Sequence, residues 1–95
     1  MRVTASRRDG GKPLRDAMKE AGYNRITLAA RTKEVDADSI GVSQQLIAFV
    51  STDKDWARET TSVRTAILIA AALGKREDEL FVMPASFVST VSTHS

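Results

Sequence analysis

Ninety-five residues leave room for one domain around one modest core, and a 42% hydrophobic, 27% charged composition is that of an ordinary folded chain. No apolar run reaches the ~20 residues that cross a bilayer, the basic N-terminus lacks the apolar stretch of a secretory signal, and with no cysteine there is neither a disulfide nor a thiolate metal site. The net charge of +2 hides an asymmetry: residues 1–25 hold seven cations against three anions, residues 26–61 four against six, a distribution suited to touching a polyanion with one end.

Residues 1–12 combine Gly10, Gly11 and scattered charge without periodicity and read as a flexible basic arm. Pro13 suits a first helical position, and Leu14, Ala17, Met18 and Ala21 repeat at helical spacing up to Gly22, a helix stop. Asn24 caps a second helix carrying Ile26, Leu28, Ala29 and Ala30 and running to about Lys33. Asp36, Asp38, Ser39 and Gly41 make residues 34–41 a loop or irregular turn. Ser43 caps a third helix with Leu46, Ile47 and Val50 as its apolar stripe. Residues 51–61 are polar apart from Trp56 and Ala57. Thr61 or Ser62 opens a fourth helix, carried by Val63, Ala66, Ile69, Ala70 and Leu73 and closed by Gly74. Arg76 to Phe81 allows one more turn, and from Pro84 the Ser/Thr/Val composition reads as a loose or extended tail. The expected architecture is therefore all-α: a four- to five-helix bundle over residues 13–83, an arm before it and a tail over 84–95.

From Leu14 to Phe81 the chain resembles the Cro-like, phage-repressor family of helix-turn-helix domains. Gly22-Tyr23-Asn24-Arg25-Ile26-Thr27-Leu28-Ala29 follows that family's passage from helix one to helix two. Gly41-Val42-Ser43-Gln44-Gln45-Leu46-Ile47 resembles its turn and recognition-helix start. Ile69-Ala70-Ala71-Ala72-Leu73-Gly74, then Asp78-Glu79-Leu80-Phe81, resembles its closing helices. The resemblance implies a transcriptional regulator, a phage or prophage repressor, working in the cytoplasm of a bacterial host on a palindromic double-stranded DNA operator as a homodimer.

It also implies a set of contacts. With Ile47 and Val50 anchored to the core beside Leu28 and Ala29, Gln44, Gln45, Ala48 and Phe49 face the bases. A glutamine amide offers both a donor and an acceptor to the adenine edge, although two glutamines are also ordinary polar residues for an exposed first turn. Asn24, Arg25, Thr27, Ser43, Lys54 and Arg58 fall where phosphates are met. Arg2, Arg7, Arg8 and Lys12 of the arm either track the backbone or are simply solvated. Trp56 either pins its loop on the core or stacks on DNA.

Helix four carries apolar residues where the family places polar ones. If Ala66, Ile69, Ala70 and Leu73 face the core, Leu68 lies nearly opposite and Ile67 on the flank. Together with Phe81, Met83 and Phe87 they form either a dimer surface or a seat for the chain's own C-terminal segment.

The family's turn between helices two and three takes about three or four residues; here it is enlarged by an acidic insertion, roughly Lys33 to Ile40, expected to project away from phosphate or to lengthen helix two. The family's Arg–Glu pair between helices one and three is replaced by Met18 and Ser51, both partners together, so no buried charge is stranded. An enzyme is not indicated. The one histidine, His94, stands in a Ser/Thr tail, and no metal-ligand spacing, phosphate-cradling glycine loop or nucleophile–base pair is visible, so neither a cofactor nor a small-molecule ligand is expected. The rival is a protein-interaction module, an antitoxin or a small phage protein binding a host factor, on the same fold.

Overall fold

In the computed structural model, which describes residues 4–84, the helices start where their capping residues put them. α1 (Lys12–Ala21) has Pro13 in its first turn and stops at Gly22; α2 (Arg25–Val35) starts from Asn24; α3 (Gln44–Ser51) starts from Ser43. α4 (Val63–Leu73) starts from Ser62 and stops at Gly74, and α5 (Glu77–Leu80) is one turn. Asn24, Ser43 and Ser62 each accept a hydrogen bond from a first-turn N–H, of Thr27, Leu46 and Thr65 respectively. These caps satisfy donors that a helix start otherwise leaves bare.

The chain is not all-helical, and residues 4–11, expected to be part of a loose arm, are a strand and a turn. β1 (Thr4–Arg7), β2 (Thr60–Ser62) and β3 (Phe81–Val82) form an antiparallel sheet in the order β2-β1-β3, with Ala5 opposite Thr61 and Arg7 opposite Phe81. Burial along β1 alternates: Ala5 and Arg7 are buried, Thr4 is exposed and Ser6 intermediate. That is the period of a strand with one face inward. Because the inward residues are an alanine and an arginine, the alternation leaves no hydrophobic signature in the sequence. A 3-10 turn at Asp9–Gly11 leads from the strand into α1.

Leu14, Leu28, Ile47, Val50, Ile69, Leu80 and Phe81 form the fully buried centre. α4 is its axis, packed against α1, α2 and α5 and against β1 and β2. With neighbours on so many sides, only Arg64, Ile67 and Ala71 keep appreciable exposure in the body of that helix, and Leu68, expected to face outward, is 8% exposed. Phe81, counted with it as a partner surface, is wholly buried, and Ile67 and Met83 are half-buried. Leu68 and Phe81 of the expected dimer surface are thus taken up by the chain's own core. Phe87 and the rest of the tail beyond Pro84 lie outside the described residues, as does Arg2.

Candidate nucleic-acid interface

α3 has one face closed and one open. Ile47 and Val50 are wholly buried, Gln44 and Gln45 are exposed, and Ala48 and Phe49 are half-buried. At about 100° per residue, Gln45 lies nearest the middle of the open face, with Ala48 on one side of it and Phe49 on the other. The two carboxamides expected to face outward do so.

Phe49 is less available than expected. The Trp56 ring meets it edge-on at 5.7 Å between centroids, and the Arg58 guanidinium lies 4.7 Å above its centroid. Arg58 also donates its backbone N–H to the Phe49 carbonyl at 2.8 Å. Trp56 therefore holds its loop to α3 through Phe49 and not by entering the core, and stays 50% exposed.

Of the two courses expected for the acidic insertion, it lengthens α2 and does not project away. α2 extends to Val35, and residues 36–43 fold back around the Asp36 carboxylate. That carboxylate accepts the N–H groups of Asp38 at 3.0 Å, Ile40 at 3.2 Å and Gly41 at 2.8 Å, and pairs with the Arg64 guanidinium from α4. These donors, led by the Gly41 N–H, hold the Asp36 carboxyl below the usual aspartate range. Thr32 of α2 accepts the Val42 N–H at 2.9 Å. Gly41 is required here: its φ is +71°, and a Cβ would stand 2.9 Å from the Lys33 backbone. Glu34 pairs with Arg31 at 2.8 Å, so of the insertion's three acids only Asp38 remains exposed without a cation.

At the start of α2, Asn24 and Thr27 cap each other: Asn24 accepts the Thr27 N–H, and the Thr27 hydroxyl accepts the Asn24 N–H, both at 2.9 Å. The Thr27 oxygen expected on phosphate is thereby engaged within the helix start. Arg25 is exposed, and with Asn24, Arg15, Ala48 and Trp56 it lines a cleft beside α3. Asp53 stands in the same cleft and opposes an anion there.

The cations divide sharply. Lys12, Arg31, Arg64, Lys75 and Arg76 pair with Asp16, Glu34, Asp36, Glu20 and Asp78. Among the described residues, Lys19, Arg25, Lys33, Lys54 and Arg58 make no side-chain ion pair or hydrogen bond. Four of these belong to the surroundings of α3. Arg25 shares a cleft with Ala48, Lys33 shares a groove with Gln44, Arg58 stacks on Phe49, and Lys54 follows the helix end.

Of the cations expected in the arm, the three among the described residues are used internally. Arg7 is buried and pairs with Glu59 at 2.7 Å, and Arg8 donates to the Asp78 carbonyl at 2.5 Å. Lys12 opens α1, bound to Asp16 at 2.8 Å. Arg15 and Arg64 have roles that sequence reasoning passed over, and Asp36 is read there only as part of an acidic turn. Asp36 alone carried a local signal, an acid just after a helix and five residues before a glycine. No family model, curated protein or solved structure matches the chain.

Proposed function

We propose that this chain is a sequence-specific DNA-binding regulator of the Cro-like helix-turn-helix kind, reading the major groove with the open face of α3. The observation that carries the reading is the pairing of two exposed adjacent carboxamides on a helix anchored by wholly buried Ile47 and Val50, with Arg25, Lys33, Lys54 and Arg58 around it, none of them paired among the described residues. Cations without an acidic partner among the described residues leave phosphates as natural counterions. Gln44 and Gln45 are the base readers, each contributing ~1–3 kcal/mol of discrimination in a bidentate contact with adenine. Arg25 and Lys54 supply phosphate contacts. A palindromic operator would call for two copies, with half-sites about one helical turn apart.

Duplex titrations over a range of salt separate these roles. Gln45→Ala is expected to lower the ratio of specific to random affinity without changing the salt slope, and Arg25→Ala to weaken all duplexes and reduce that slope by about one. Equal losses on specific and random DNA for the glutamine variant would remove base reading.

One observation favours the rival. Ile26 and Ile40, 53% and 69% exposed, border a groove between α2 and residues 40–44. Exposed apolar pairs suit a protein partner. On that reading Ile40→Ser abolishes activity in the cell while Gln45→Ala leaves it intact.

A further inference from the structure

The C-terminal end of α3 is held by two arginines from the first fifteen residues. Arg7 reaches the carbonyls of Val50 at 3.4 Å and Thr52 at 2.5 Å while its Nε and second terminal nitrogen donate to Glu59 at 3.2 and 2.7 Å. Arg15 donates to the Ser51 carbonyl and to Gly10, both at 2.8 Å. Three successive carbonyls leaving the helix therefore receive guanidinium donors. Between the two arginines sits Gly11. A Cβ there would stand 2.8 Å from Arg7, 3.0 Å from the Val50 carbonyl and 3.2 Å from Arg15. Only Arg7 pairs with a carboxylate, Glu59, while Arg15 bonds to carbonyls alone, so two neighbouring guanidinium groups would repel each other. The negative end of a helix offsets that repulsion.

We infer that Arg7 and Arg15 are positioning residues for DNA recognition: they set the tilt of α3, and so the reach of Gln44 and Gln45, without touching DNA through Arg7 at all. The inference rests on the DNA-binding reading. Its mechanical part stands apart from it. The Arg7 side chain is 5% exposed and already bonded to a carboxylate and two carbonyls, so it has little left to offer a phosphate. An eight-residue helix is roughly 12 Å long, and a tilt of about 5° at its far end moves its first turn by about 1 Å. That displacement takes a bidentate hydrogen bond out of range.

The test uses Glu59→Gln, which loosens Arg7 while keeping shape, alongside Arg7→Met and Arg15→Lys, well below their melting temperatures. Amide exchange is followed at Thr52 and Arg58, whose N–H groups bond to Ala48 and Phe49 of α3. Faster exchange at these two amides and not in α4, with about a tenfold fall in the specific-to-random ratio and an unchanged salt slope, is the expected result. A salt slope reduced by about one in Arg7→Met would mean that Arg7 meets phosphate directly and would overturn the proposal. Exchange that is unchanged, or raised equally through α4, would overturn it too. If Arg7→Met does not fold, Glu59→Gln decides by the same readings. Should the wild-type chain bind no duplex, the regulator reading fails, while the exchange data still judge the clamp.

Discussion

Two loops flank α3 and are held by different physics. Residues 36–43 hold themselves: Asp36 bonds to amides two, four and five positions ahead, and Thr32 receives Val42. Residues 51–59 are held from afar by Arg7 and Arg15, with the Phe49, Trp56 and Arg58 stack added nearby. The amino end of the helix is thus fixed mainly by chemistry local in the chain, assisted by Arg64, while the carboxyl end depends on the strand and first helix being docked. A helix that meets a target with its first turn gains from this order, since its leading end is the more locally determined.

The largest expected effect tests what the two loops share. Ile47→Ala removes a wholly buried anchor of α3 and should cost ~2–5 kcal/mol in denaturant unfolding; a much smaller loss would mean that the loops alone hold the helix. Acid should act next, and on both sides. The Asp36 carboxyl is lowered chiefly by the Gly41 N–H and the Glu59 carboxyl by its hydrogen bond from Arg7. Groups lowered in the folded state contribute stability that is complete above their unfolded values, about pH 4 to 4.5, and lost as pH falls through the folded ones. Both loops should therefore be unaffected between pH 6 and 8 on the scale of ordinary carboxylates and release in stronger acid, as exchange at Gly41 and Arg58 would report. Release near neutrality would contradict the assignment.

Caps are worth less. Ser43→Ala should cost ~0.5–2 kcal/mol, raising exchange in residues 44–47 while leaving Arg58 protected, which separates the two ends of the helix in one variant. Smallest is Asp53→Asn, in the cleft beside Arg25. Removing a repelling exposed charge should tighten all duplexes alike by no more than ~1 kcal/mol, read by titration at two salt concentrations; weaker binding would place phosphate elsewhere.

What was legible in the sequence follows the same division. Helix starts at Asn24, Ser43 and Ser62 and stops at Gly22 and Gly74 are written in single residues, because caps act within a few positions. The outward turn of Gln44 and Gln45 was equally readable, since Ile47 and Val50 fix the inner face. The sheet was not. β1 turns Ala5 and Arg7 inward, and the acid that makes a buried Arg7 tolerable lies 52 residues away. Helical periodicity about a single inner face puts Leu68 on the surface, whereas α4 has neighbours on several sides and the fold buries it. The Asp36 loop was half legible: a turn was expected, but not that its acidity is answered by Arg64, 28 residues on.

The most direct measurement is selection from a random duplex library near physiological salt, with the wild-type chain and the Gln44→Ala, Gln45→Ala double variant in parallel. The account predicts an enriched motif for the wild type, with adenine at the positions that become degenerate in the variant. The same motif from both chains, or none from the wild type, would contradict it.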